Sequence, residues 1–382
     1  MTSSANIPIH GECAQQFNAV RAVFTESFAR QEEVGAAVCV YADGQKVVDL
    51  WGGYCDEARS QPWQSDTIVC MFSVAKGMAA LCAHVLADRG RLDLDAPVVT
   101  YWPEFGKQGK EHITVKQVLG HMAALVYTDT APPGALFDPE VMVKVLEDMP
   151  PAWEPGTRGA YHSSTYGNLV GEIVRRVSGK SIGRFFREEI AAPLGLDYHI
   201  GLGADELERV CNIIPNPANE TAAVLSDPTT KPGRSFAALP RQENVFNSLT
   251  FRQIEWPSAN GHGNARAVAR LFAALARGGE IDGVRVLSPE AIAHAAELQW
   301  DDQCLVWGDH FRTTLGLLLN TPDFAYMGPN PNSFGTAGAG GACGIADPRS
   351  RIGFGYSPNF MCSGGGLGDQ CRALVEATFA SV

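Results

Sequence analysis

The sequence predicts an α+β fold in which an antiparallel sheet is assembled from both chain ends and flanked by helices, with a mainly helical second domain between them. Three observations carry this: a hairpin pattern near the N-terminus, helical patterns through the middle, and a return to short apolar runs near the C-terminus. The segment Gly35 to Gly52 holds two apolar, β-branched runs joined at Asp43-Gly44, a dipeptide suited to a tight hairpin turn. Ser73 to Arg89 follows, with Val74, Met78, Leu81, Val85 and Leu86 in helical spacing and Gly90 placed to end the helix. It is apolar on nearly every face, so it belongs in the interior.

From Leu92 to about Gly195, short helical patterns alternate with Pro and Gly, as in Ile113 to Ala123 and Leu169 to Ser178. The stretch from Asn212 to Pro257 is rich in Pro, Asn, Thr and Ser, and a loop of that length in a compact protein belongs to a binding surface. A helix is expected from Ala265 to Arg277, a second Asp-Gly turn in Glu280 to Val286, and a closing helix from Gln370 to Phe379. Strand-like runs fall at Thr313 to Leu319, Gly341 to Ala346 and Ile352 to Tyr356. This places a sheet domain in residues 1–72 and 260–382. A mainly helical domain occupies 73–259, with 212–257 as its substrate-shaping loop.

Composition narrows the function. The 382 residues are 45% hydrophobic and 19% charged, which suits a globular enzyme and leaves no room for a long disordered tract. A formal charge of −12 without Lys/Arg clusters excludes a nucleic-acid partner. Glu12 and polar neighbours interrupt what would be a secretory apolar stretch, and no segment is apolar for long enough to insert in a membrane, so a cytoplasmic location is expected. The ten cysteines are scattered without C-x-x-C spacing and read as small buried residues needing no disulfide. No H-E-x-x-H occurs among the nine histidines, and neither a metal nor an organic cofactor is expected.

The chemistry begins at Ser73-Val74-Ala75-Lys76, the only S-x-x-K in the chain. Ser73 falls where an extended segment meets the apolar helix, at its positive end, with Lys76 one turn on and facing the same way. A lysine carried into an apolar interior must find a partner or lose its proton, which suits a base. Tyr161, in the turn before a helix, can point its phenol into a cleft, and beside an ammonium its pKa would fall. The glycine-rich run Phe334 to Gly341 allows close approach to its backbone and exposes N–H groups that suit an oxyanion hole. Gly179-Lys180-Ser181-Ile182-Gly183 matches the letters of an α/β-hydrolase elbow, but Ser181 follows a helix rather than a strand and is set aside.

Taken in order, S-V-A-K, Tyr161-His162-Ser163 and the late glycine-rich strand resemble the serine β-lactamase-like superfamily, specifically family VIII carboxylesterases, which are related to class C β-lactamases and penicillin-binding proteins. Leu92 to Val98, Tyr101 to Phe105, Ile113 to His121 and Pro193 to Leu196 resemble its connecting segments, and the likeness covers roughly residues 16 to 375. The resemblance implies a β-lactamase/transpeptidase-like fold and a serine carboxylesterase acting on small or short-chain esters through an acyl-enzyme on Ser73. Lys76 and Tyr161 would share the proton work, and the backbone N–H groups of Ser73 and Ala339 would hold the oxyanion. His162, Ser163, Thr336, Ala337, Gly338 and Trp307 are the substrate-binding candidates. Thr336-Ala337-Gly338 stands where the lactamases carry K-T-G, so the cation that grips a β-lactam carboxylate is missing; Tyr161-His162-Ser163 likewise lacks the amide of Y-S-N. Both departures favour neutral esters over the alternatives, a β-lactamase or D,D-peptidase. A non-catalytic binding relative is the remaining alternative, and retention of Ser73, Lys76 and Tyr161 together argues against it. The oligomeric state is left open.

Overall fold

The computed structural model describes residues 7–219, 221–363 and 366–382. Its strands, in chain order, are β1 (Ile9–Cys13), β2 (Gly35–Ala42), β3 (Gln45–Gly53), β4 (Val69–Cys70), β5 (Tyr198–Ile200), β6 (Gly261–Gly263), β7 (Glu280–Ile281), β8 (Val284–Arg285), β9 (Trp300–Gln303), β10 (His310–Thr313), β11 (Leu318–Leu319), β12 (Phe334–Ala337), β13 (Cys343–Asp347) and β14 (Ile352–Pro358). Nine of them form one antiparallel sheet in the order β1-β3-β2-β14-β13-β12-β11-β10-β9. The two chain ends meet at its centre, where Ile352 pairs with Ala42 and Pro358 with Ala36. The hairpin between β2 and β3 turns at Asp43 and Gly44, both with positive φ, as an Asp-Gly turn of this type requires.

The central strands are apolar on both faces because both faces are covered. Along β2, Ala36, Val38 and Val40 point to one side, where they meet Phe24 and Phe28 of helix α1 (Asn18–Ala29). Ala37, Cys39 and Tyr41 point to the other. That second side carries the main core. Helix α2 (Val74–Asp88) runs through this core with every residue from Val74 to Leu86 buried. It packs beside helix α3 (Tyr166–Ser178), while helix α4 (Ala265–Ala276) lies on β14, β13 and β2 and helix α5 (Gly368–Phe379) packs with α1 on the opposite face.

The seat of α4 is cut by glycines. A Cβ at Gly353 would lie 2.3 Å from Ala273 N, and one at Gly355 would lie 2.3 Å from Ala265 O. Backbone therefore meets backbone across this layer, closer than any side chain allows.

Several expectations change in detail. Thr313 to Leu319 is not one strand: Thr314 N–H bonds Leu317 O and Gly316 sits at φ +100°, so the run folds back as β10 and β11. The glycine-rich run is a strand only over β12, followed by a turn at 339–341. The 212–257 segment contains the helices Thr221–Ser226, Lys231–Ser235 and Leu249–Gln253, because Thr230 and Ser248 supply side-chain N-caps that composition alone did not expose. Cysteine usage also departs from the expectation. Seven cysteines are free and buried, but Cys55 and Cys211 form a disulfide across 156 residues. It joins neighbouring chain segments, since Asn212 N–H also bonds the Cys55 carbonyl; no local spacing could announce such a pair.

Substituting Gly353 by Val is expected to destabilise the fold by about 2–3 kcal/mol, as overpacking against a rigid backbone does. Urea denaturation checks this, and an unchanged midpoint would show that α4 moves away freely.

Candidate active site

Ser73 occupies the N-cap position of α2, with its hydroxyl free of any capping bond. The preceding Phe72 is held at φ +45°, a conformation rarely taken by a large side chain, and its ring packs edge-on against Phe246. This kink ends the extended segment through β4 and turns the Ser73 side chain toward the cleft. The strain is carried by a core that over-determines it.

One turn on, Lys76 is 3% exposed, so it does not snorkel to water. Its Nζ lies 3.0 Å from Ser73 Oγ and 2.5 Å from the carbonyl of Ser258, which it bonds. Burial alone pulls its pKa well below the ordinary value, and no carboxylate opposes the shift. Lys76 Nζ donates to both Ser258 O and Ser73 Oγ, so a proton lost from the amine would leave its lone pair within reach of the Ser73 hydroxyl. Ser258 was not foreseen from sequence. Its carbonyl is fixed because its hydroxyl donates to Ser164 O at 2.6 Å and accepts from Gly167 N–H at 2.7 Å, tying it to the start of α3.

The Tyr161 ring packs under Lys76 Nζ, 4.7 Å from its centroid. Burial raises the Tyr161 pKa, and a hydrogen bond to Ser73 only partly offsets that. This reverses the lowered value expected from the sequence. The reason is that Tyr161 is itself buried, and desolvation of the phenolate outweighs the Ser73 hydrogen bond. His121 stacks on Tyr161 and Tyr166, with ring centroids 4.7 and 4.4 Å away, and accepts the His162 N–H through Nδ1. Cys304 Sγ accepts the Tyr161 N–H, so the phenol is positioned from both sides.

The backbone amides of Ser73 and Ala339 donate to no other group among the described residues. Gly338 explains how they come together: a Cβ there would stand 2.2 Å from Met71 O, so only glycine lets the turn after β12 press against the chain entering Ser73.

Two cavities open from Ser73, Tyr161, Trp307 and Ala339. The first, about 210 Å3, is walled by Phe72, Ile213, Leu225, Phe236, Phe246 and Met361. The second, about 140 Å3, lies along Ala337 and Gly338, with Phe311, Leu318 and Phe324 opposite. Asn219 and Thr221 line both, which brings part of the 212–257 segment to the site. Ser163 and Trp307 are joined, the indole N–H donating to Ser163 Oγ at 2.7 Å.

Two candidates do not reach these cavities. His162 is fully buried, bonded to Ala160 O and to the Leu125 N–H, and its pKa is pushed down to about 4 by desolvation. It supports the fold of the turn as a neutral ring. Thr336 is also buried, its methyl filling the notch left by Gly77, where a Cβ would come within 2.2 Å of it. It packs β12 against α2 and borders the narrow space shared by Ser73, Lys76 and Tyr161. Ser181 caps the following helix through the Arg184 N–H and donates to Glu255, a structural role.

Residues 20–367 match the beta-lactamase family. The chain belongs to that family. A solved family VIII carboxylesterase superposes with a TM-score of 0.91 at 38% identity, covering 98% of this chain and 100% of that one. A penicillin-binding protein homolog from Caulobacter crescentus gives 0.90 at 37%, covering 98% and 100%. The esterase/beta-lactamase LipL of Mycobacterium tuberculosis is 35% identical over 364 residues, 93% of this chain and 84% of LipL. The fold is thus the β-lactamase/transpeptidase-like one. Among the described residues, no helix is long and apolar enough to cross a membrane, and no group of three or more His, Cys, Asp or Glu side chains is placed to hold a metal.

In this beta-lactamase-family chain, the buried amine gives stability a defined pH dependence. Because the folded-state pKa of Lys76 lies below its ordinary 10.5, the unfolded chain binds more protons between the two values, and stability rises with pH across that interval. Lys76→Met removes this slope. The unfolding free energy of the wild type minus that of K76M is expected to increase with pH up to about 10.4, the unperturbed lysine value. A difference flat in pH would mean the lysine stays charged in the fold.

Proposed function

We propose that the protein is a serine carboxylesterase that hydrolyses small or short-chain esters through an acyl-enzyme on Ser73. The observation that carries the reading is the Lys76 amine, 3.0 Å from Ser73 Oγ and with its pKa drawn well below the ordinary lysine value by burial. Lys76 takes the hydroxyl proton as Ser73 Oγ bonds the ester carbon, and the N–H groups of Ser73 and Ala339 receive the developing oxyanion. Tyr161, kept protonated by its raised pKa, donates its proton to the departing alkoxide and is reprotonated from the Lys76 ammonium. Water then attacks the acyl-enzyme by the reverse sequence. The reading is supported by the carboxylesterase neighbour and by LipL, whose names record ester hydrolysis.

Against a β-lactamase or D,D-peptidase stands the electrostatics of the groove. Among the described residues lining the two cavities, no Lys, Arg or His is present to hold a carboxylate. Against a non-catalytic relative stands Lys76 itself. A buried, unpaired amine is costly, and a chain that only binds has no use for it.

The test is turnover of p-nitrophenyl acetate and butyrate beside a chromogenic cephalosporin. Ester turnover is expected to exceed cephalosporin turnover, to fall about 10^3-fold or more in Ser73→Ala, and to fall about 10^2- to 10^4-fold in Tyr161→Phe. A fluorophosphonate probe should label Ser73. A folded wild type that neither turns over esters nor takes the probe would rule the proposal out. With Lys76 as base, kcat/KM should rise with pH as the amine loses its proton and level off below pH 10.5.

A further inference from the structure

The second cavity holds a charge that the proposed hydrolysis does not use. Asp309 lines it beside Trp307, Phe311 and Phe324. On the neighbouring strand β9, Asp301 is compensated, accepting from His310 at 2.5 Å and from Arg312 at 3.1 Å. The Asp309 carboxylate has no hydrogen-bond or ion-pair partner among the described residues, and no Lys, Arg or His lines the cavity with it. Partial burial raises its pKa, with no cation opposing the shift.

An unpaired carboxylate at the rim of an aromatic-walled recess is the arrangement that attracts an organic cation. Aromatic rings offer a negative quadrupole to a quaternary or protonated amine, and the Asp309 carboxylate, exposed at the mouth, supplies the counter-charge. The walls are fixed for this task. The Trp307 indole is anchored on Ser163, and the Phe311 ring packs against both Phe324, at 4.4 Å between centroids, and Tyr161, at 5.3 Å. The first cavity, by contrast, is lined by no charged side chain among the described residues. One branch of the groove is thus uncharged and the other carries a single negative charge.

We infer that the recess formed by Trp307, Phe311, Phe324 and Asp309 is a subsite for an ammonium group, and that the preferred substrates are esters carrying a positively charged amine on one of their two halves. The inference rests on the esterase reading. It adds to that reading a charge requirement: an amine-bearing ester gains contacts in the second cavity that its uncharged analogue lacks, and an ester with a free carboxylate is repelled.

Two pairs of substrates, each matched in shape and differing in charge, test it. Acetylthiocholine is compared with 3,3-dimethylbutyl thioacetate for a cation on the leaving group. The p-nitrophenyl esters of 4-(trimethylammonio)butanoic acid and 5,5-dimethylhexanoic acid are compared for a cation on the acyl group. In the wild type, the cationic member of at least one pair is expected to have the higher kcat/KM, by about 5- to 30-fold, the size of a partly desolvated cation–π and charge contact. That ratio should collapse toward one in Asp309→Asn and be largely kept in Asp309→Glu. Equal or lower kcat/KM for the cationic member of both pairs in the wild type overturns the subsite, whatever the variants do. A cationic preference that survives unchanged in Asp309→Asn overturns the role of Asp309. Turnover of the neutral esters separates the two levels: if it is present, a missing cation preference condemns the subsite alone. If no ester of either kind is hydrolysed, the esterase reading fails first and the subsite with it.

Discussion

The Lys76 amine, wedged between the Ser73 hydroxyl and the Ser258 carbonyl in a site where no carboxylate reaches it, is the contact to which the rest of the molecule is fitted. An ammonium so placed would lack the counter-charge that normally accompanies a buried cation. Burial therefore favours the neutral amine, the form in which a lysine can accept a proton. Burial acts on the surrounding groups in the same way, raising the Tyr161 pKa and lowering those of His121 and His162. Burial thus favours the uncharged form of each of these groups, and hydrogen bonds between them count for more than they would in water.

A second constraint is the close approach of backbones. Gly77 lets α2 settle on Thr336, Gly338 lets the turn after β12 touch the chain at Met71, and Gly353 and Gly355 let α4 lie on the sheet. The first two place the nucleophile and the Ala339 amide side by side; the others hold the sheet that carries that amide. Each contact is governed by the absence of a single methyl group, so packing, together with the Gly338 N–H bond to Ala342 O, holds the turn that carries the Ala339 amide. The strained Phe72 is tolerated for the same reason.

The sequence by itself determined much of this. The Asp-Gly hairpins, the apolar α2, the α4 helix ending at Gly278-Gly279 and the closing α5 follow from local periodicity and turn chemistry, which act within a few residues. Ser73 and Lys76 were legible because helical spacing alone puts them on one face, and Tyr161 because of the motif and turn that present it. The absence of a lysine at Thr336 was also legible, although its meaning was taken as a substrate contact.

Only the tertiary structure decided the rest. Ser258 is 182 residues from Lys76, Cys211 is 156 from Cys55, and Asp309 meets the cavity through strands that pair late in the chain; none of these juxtapositions leaves a periodic trace. The direction of the Tyr161 shift was misjudged for a related reason. A pKa depends on how completely water is excluded and which charges remain nearby, and both are properties of the packed interior. His162 shows the same limit, since its residue type suits substrate contact and only its burial and its bonds to Ala160 O and the Leu125 N–H give it a structural place. Pattern fixes which side chains share an element; packing decides which of them face the cleft and in what protonation state.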